Sequence, residues 1–181
     1  GDGLLDVFIG NQDGNTVFFH NTGTSAAPAF AAGSSVSPFG ISDVGSFAAP
    51  DFADIDADGD LDAFIGNKAG NTVFFHNTGT SAAPDFSGGS TTNPCGSSHV
   101  GSSNAVFVDI DGDGLLDAFI GEFHGDTVFF HNTGTAAAPA FAAGSSDSPV
   151  GISDVGLYAA PDFADIDGDG LLDAFIGEFH G

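Results

Sequence analysis

The amino-acid sequence predicts an all-β chain made of tandem copies of one antiparallel unit, on three observations. Phrases return at a fixed interval: NTVFFHNTGT stands at 15–24 and 71–80, and DTVFFHNTGT at 126–135. A period of 55–56 residues sustained in this way is the mark of a repeat architecture. Next, 28 Gly and eight Pro in 181 residues interrupt any 3.6-residue apolar stripe before it could cover a helix face. Finally, the apolar segments AFIG and TVFF are short solid runs, as in strands covered on both faces rather than one.

Each unit offers four short strands. In the second they are expected near 49–55, 61–66, 72–76 and 85–87, separated by the turn-forming stretches ADGD, NKAG and NTGTSAAP. A further phrase, SPFGISDVG at 37–45, returns as NPCGSSHVG at 93–101 and SPVGISDVG at 148–156. The units are therefore drawn at about 1–45, 46–101, 102–156 and 157–181, the first and last partial. The one-residue deficit of the middle unit is placed just after Gly101. Small sheets covered on both faces must stack on copies of themselves, and four strands per stacked unit describe blades of β-propeller type. A propeller closes with about four to eight blades. Four units of this length exceed 181 residues, so one chain alone does not close. The absence of Met and the mid-phrase ends lead to the expectation of a longer array or of self-association into a ring or filament.

Charge narrows the function. There are 25 acidic residues and one basic residue, Lys68, for a formal charge of −24. Nucleic acid has no Lys/Arg footprint to meet, an anionic bilayer no basic cluster, and no apolar run is long enough to span a membrane. So acidic a chain invites disorder, but 41% hydrophobic content and 20 Phe oppose that. Cys95 is the sole cysteine, which rules out an intrachain disulfide.

The acids are grouped in phase with the repeat. Asp54, Asp56, Asp58, Gly59 and Asp62 follow the spacing D-x-D-x-D-G-x-x-D, as do Asp109, Asp111, Asp113, Gly114 and Asp117, and Asp165, Asp167, Asp169, Gly170 and Asp173. The opening GDGLLD keeps only the second half, Asp2, Gly3 and Asp6. A chain curling round one point can aim positions 1, 3 and 5 inward. Glycine at position 6 permits the bend that lets position 7 (Asp60, Leu115 or Leu171) offer its carbonyl, and position 9 closes the shell. An all-oxygen donor set suits Ca²⁺. Zinc would want His or Cys in the loop. Three Ca²⁺ are expected, with a fourth, partial site at the N-terminus. At position 8, Leu61, Leu116 and Leu172, with Leu5 in the half loop, are expected to anchor each loop to the core.

These residues, in FADIDADGDLDAFIG at 52–66, FVDIDGDGLLDAFIG at 107–121 and FADIDGDGLLDAFIG at 163–177, resemble the FG-GAP/VCBS repeat family of calcium-loop propeller blades. The links NTGTSAAPAF and NTGTAAAPAF resemble its bacterial type. The resemblance implies that the loop joins the first two strands of a blade. It also implies that the ligands are the aspartates above, with carbonyls of Asp60, Leu115 and Leu171. The first loop departs by lacking its two leading aspartates.

The expected function is a non-catalytic, extracellular or cell-surface calcium-binding structural or adhesive repeat. A glycan-binding lectin and a propeller segment of a polysaccharide-degrading enzyme are the alternatives. No catalytic residue is assigned. His20, His76 and His131 recur in FFHNTG, and His124 and His180 in EFHG, so they read as structural. His99 reads as drift within a loop. Cys95, where the other units have Phe39 and Val150, reads as an apolar plug. Glu122 and Glu178 stand a whole repeat apart, which does not suit paired glycosidase carboxylates.

Overall fold

The computed structural model describes residues 2–31, 35–96, 104–144 and 149–179. Twelve short strands follow one another: β1 (Val7–Gly10), β2 (Thr16–Phe19), β3 (Ser35–Val36), β4 (Ala49–Ala53), β5 (Asp62–Gly66), β6 (Thr72–Phe75), β7 (Thr91–Thr92), β8 (Asn104–Val108), β9 (Asp117–Gly121), β10 (Thr127–Phe130), β11 (Ala160–Ala164) and β12 (Asp173–Gly177). Among the described residues there is no α-helix, only two single 3-10 turns, at Pro38–Gly40 and Pro149–Gly151. The sheets are antiparallel, in orders β1-β2-β3, β4-β5-β6-β7, β8-β9-β10 and β11-β12. Together they are the all-β tandem array anticipated from the period, and the described strands close no barrel.

The second repeat shows all four strands. The first has counterparts of β5, β6 and β7 but none of β4, and the fourth has counterparts of β4 and β5. The one-residue deficit after Gly101 lies outside the described residues, as do His99 and His180.

One strand is not where it was expected. The fourth strand of the second blade is β7, paired with β6 through Val73↔Thr92 and Phe74↔Thr91, and not 85–87. The link after β6 folds back first, with Thr80 and Ala83 exchanging backbone hydrogen bonds. Residues 85–87 then run as a return segment that buries Phe86 and donates its N–H to the Phe39 carbonyl of the preceding unit. The true strand lies in SGGSTTN, whose glycines hide its β character.

The solid apolar runs do what their pattern requires. β5 and β9 are buried at every position. Phenylalanines stack through the array in one repeated arrangement. Phe8, Phe64 and Phe119 lie 4.3, 3.9 and 4.5 Å, centroid to centroid, from Phe52, Phe107 and Phe163 of the next blade's first strand. Within a blade, each also meets the neighbouring strand's Phe18, Phe74 or Phe129 at 4.8–4.9 Å. These offset contacts add to the area they bury. Cys95 fills the junction between the second and third blades alongside Ala53, Ile55, Phe64 and Phe107. Burial pushes its thiol up to about 12, so it serves as packing, as its apolar counterparts suggested.

Adjacent blades are also stitched by backbone. The turn after β1 bonds to the segment leading into β4, through Val44 N–H to Gly14 O, Phe47 N–H to Gln12 O and Ala48 N–H to Asn11 O; Val155, Tyr158 and Ala159 repeat this on Gly125, Phe123 and Glu122. The segment passes so close that a Cβ on Gly10 or Gly121 would land on the carbonyl of Ala48 or Ala159. Gly121→Ala should therefore force two blades apart and destabilise the chain by about 2–3 kcal/mol, measured by denaturant melts in calcium.

Between the first strands of neighbouring blades lies Asp51, whose carboxylate accepts the N–H groups of Phe52 and Phe107. Burial outweighs those bonds and pushes its carboxyl to about 6, with Asp162 adding to the rise. Because the folded value is raised above 3.8, this group's stabilisation is present below about pH 4 and disappears as pH rises through 6, about 3 kcal/mol in all. Asp51→Asn should remove that slope: the stability difference between wild type and variant should change by roughly this amount between pH 4 and 7 at fixed calcium.

Candidate metal centre

Each complete acidic loop begins directly after the first strand of a blade and ends on the first residue of the second. Asp54 follows β4 and Asp62 opens β5, Asp109 follows β8 and Asp117 opens β9, and Asp165 follows β11 and Asp173 opens β12. The loop is a set of Asx-type turns wound by its own acids. Asp54 Oδ1 accepts Asp58 N–H (3.1 Å), its Oδ2 accepts Gly59 N–H (3.0 Å), and Asp58 Oδ1 accepts Asp60 N–H (2.9 Å). Asp109 and Asp113, and Asp165 and Asp169, repeat the pattern onto Asp113, Gly114 and Leu115 and onto Asp169, Gly170 and Leu171. Position 6 has positive φ in every copy, 95° at Gly59 and 88° at Gly114 and Gly170, which glycine alone adopts freely. Position 4 shares the requirement. Gly112 and Gly168 meet it, while Ala57 takes φ 57° at a cost of about 1–2 kcal/mol.

The clusters follow from this winding. Carboxylate oxygens of Asp54, Asp56 and Asp58 lie within 4.8 Å of one another, as do those of Asp165, Asp167 and Asp173. Asp56 and Asp62 gather with His76 Nδ1, and Asp111 and Asp113 with His131. Asp60, Leu115 and Leu171 occupy the turn through their backbone.

Position 9 is the most constrained. Asp62 and Asp117 are each only 1% exposed. Their Oδ1 atoms accept the N–H of Asn77 and Asn132 (2.7 Å) and face His76 and His131 Nδ1 (3.0 Å). Their Oδ2 atoms are buried with no hydrogen-bond partner. Burial pushes the Asp62 carboxyl above its ordinary value, against the Asn77 and His76 bonds that lower it. The Asp117 carboxylate facing its Nδ1 holds His131 above the usual imidazole value. The unpartnered Oδ2 of Asp62 lies in a residue that, with Asp56 and His76, forms one of the groups that could hold a metal ion.

Two contributors escaped the sequence reading. Asn21, Asn77 and Asn132 are buried hubs. Each donates its side-chain N–H to the position-8 carbonyl (Leu5, Leu61 or Leu116), and its Oδ1 accepts two N–H groups of the following link. His20, His76 and His131 meet the position-9 carboxylate. The signal was present, since a buried polar pair after an apolar run recurred unchanged in FFHNTG. The position-8 leucines, by contrast, do not generally anchor the loops. Leu5, Leu61 and Leu172 are exposed, and of the four only Leu116 packs on the core. In the half loop, Asp6 keeps the His20 and Asn21 contacts and Asp2 Oδ1 accepts Leu4 N–H. Glu122 takes the turn position of Asn11 and Asn67, and burial followed by Asp126 pushes its carboxyl upward.

The strand order and the in-phase loops define a β-propeller-like repeat. The sequence model of the FG-GAP-like repeat matches residues 1–65, 54–120 and 109–176. The chain belongs to this family, and each match runs from one acidic loop through the next. No relative among curated proteins matches the chain.

Asn132→Ala would strand the Leu116 carbonyl and the Gly134 and Ala140 N–H groups. It should cost about 3 kcal/mol, read as a lower denaturation midpoint with an unchanged slope.

Proposed function

We propose that this chain is a non-catalytic, calcium-binding structural repeat of extracellular or cell-surface type, in which Ca²⁺ sets the stability of the stacked blades. The observation that carries this is the unpartnered, buried Oδ2 of Asp62 and Asp117. A buried carboxylate without a countercharge costs several kcal/mol, and the protein answers it only at Oδ1, where His76 and His131 Nδ1 stand at 3.0 Å. Its one basic residue, Lys68, lies over the Phe47 ring, 5.1 Å from the centroid. A divalent ion supplies the missing charge.

On this reading the ligands are Asp54, Asp56, Asp58 and Asp62 with the Asp60 carbonyl; Asp109, Asp111, Asp113 and Asp117 with that of Leu115; and Asp165, Asp167, Asp169 and Asp173 with that of Leu171. Asp2 and Asp6 hold half a site. Three Ca²⁺ bring the formal charge from −24 to −18. With the metal held only by the folded form, binding becomes folding free energy. Self-association of the blades into a ring or filament belongs to the same reading, supported by repeat faces that are alike from one junction to the next.

Chelation with EGTA should lower the melting temperature by about 15 °C or more, taking about 2.7 kcal/mol per site at a hundredfold excess over Kd. An unchanged melt would count against structural calcium. Asp117→Asn separates charge from shape and should invert its effect: less stable than wild type in calcium, more stable in EGTA, where removal of the buried charge is a gain.

A further inference from the structure

We propose that His76 and His131 each supply Nδ1 as a nitrogen ligand at the acidic loop of their blade, which gives these two loops a second use, as sites for a divalent transition ion of the zinc class. This rests on the reading that the loops hold a cation, and adds a donor and a metal to it.

The loops themselves contain no His or Cys. The imidazole arrives from the end of the third strand: β6 stops at Phe75 and β10 at Phe130, and the next residue is the histidine. There Nδ1 faces two carboxylates of the loop at once. His76 Nδ1 lies 3.0 Å from Asp62 Oδ1 and 3.9 Å from Asp56 Oδ2. His131 Nδ1 lies 3.0 Å from Asp117 Oδ1 and 3.7 Å from Asp111 Oδ2. Two donors that each stand about 2.1 Å from one ion are roughly 3.0–4.2 Å apart, from a right angle to a straight line. The distances in both blades fall in that interval.

An independent observation points to a ligand. The position-9 carboxylate that meets Nδ1 at one oxygen has its other, Oδ2, sealed from solvent with no hydrogen-bond partner, at Asp62 and at Asp117 alike. Both residues are 1% exposed. The imidazole bond thus satisfies half of this group and leaves an acceptor without a donor on the same carboxylate. An ion shared by Nδ1 and the carboxylate satisfies the rest.

The donor sets also separate the two metals. Asp56 belongs to two groups, one with Asp54 and Asp58 and one with Asp62 and His76. The first is all oxygen, the set that Ca²⁺ prefers. The second offers one imidazole and two carboxylates, and water can complete the four ligands that zinc takes. In the third blade Asp111, Asp113 and His131 form the corresponding group. A nitrogen donor favours borderline ions over calcium. Ligation needs Nδ1 without its proton and Nε2 with one. Both rings stand partly in solvent, where Nε2–H is hydrated.

The full chain, freed of metal, is titrated calorimetrically with Zn²⁺ and with Ca²⁺, alongside the double variant His76→Gln/His131→Gln and, as a control for surface imidazoles, His124→Gln. Comparing the two ions within each variant cancels any effect on folding. The double variant should lose about tenfold or more in Zn²⁺ affinity while its Ca²⁺ affinity changes by less than about threefold, and His124→Gln should change neither. A parallel loss for both ions would mean that the histidines only hold the position-9 carboxylate in place, and would overturn the proposal. So would Zn²⁺ binding that the double variant keeps, or that His124→Gln loses equally. On the unmodified chain, proton–nitrogen NMR of the imidazoles reads the ligation directly: one Zn²⁺ per site should shift Nδ1 of His76 and His131 and fix both rings in the Nε2–H form. Rings that keep Nδ1 protonated would overturn the proposal even if the double variant proved unable to fold. If Ca²⁺ still binds and raises the melting temperature, only the histidine ligation is lost; if neither ion binds, the cation reading of the loops falls with it.

Discussion

The structure depends on a carboxylate buried at the start of the second strand of each central blade. Asp62 and Asp117 are held there by an asparagine N–H at 2.7 Å, yet each keeps one oxygen sealed from solvent without a partner. Burying a charge in this way is tolerated only when something of opposite sign completes it. His76 and His131 meet the other oxygen at 3.0 Å, and the neighbouring loop acids cannot complete the charge. The same winding that shapes the loop gathers acidic groups that could hold a metal ion.

The position-9 carboxylate is also tied into the blade. The asparagine bonded to the position-9 carboxylate also clamps the position-8 carbonyl and two amides of the following link. The loop between the first two strands and the link after the third are thus one hydrogen-bonded body. Beside it, the phenylalanine pairs and the close passage of Gly121 by Ala159 join each blade to the next. Loop order, blade order and blade stacking are mechanically continuous. A disturbance at an acidic turn is therefore felt at a blade junction, through contacts rather than through a distant field.

Much of this was legible in the sequence. The 55–56-residue period, the solid runs AFIG and TVFF, and the D-x-D-x-D-G-x-x-D spacing located three of the four strands per blade and placed the loops between the first and second. The fourth strand was missed because Thr91–Thr92 sits among glycines, while Phe86 looked like a strand residue and proved to be the buried tip of a return segment. The leucines at position 8 were over-read: an apolar residue beside a strand start is buried only if a neighbour stands over it, and periodicity does not say which repeats have one. The bond of His76 and His131 to the position-9 acid joins residues 14 apart in the chain, a distance that no local pattern encodes.

What the sequence determined by itself is local: which segments are extended, where the chain must bend through positive φ, and which carboxylates are wound together, because each depends on neighbours a few residues away. What only the tertiary structure decided is burial. DAFIG occurs three times with identical letters; at 62–66 and 117–121 every residue is buried, while at 173–177 most face solvent. The difference lies in whether another blade stacks on that sheet, and that is a property of the assembly of repeats, not of any one of them.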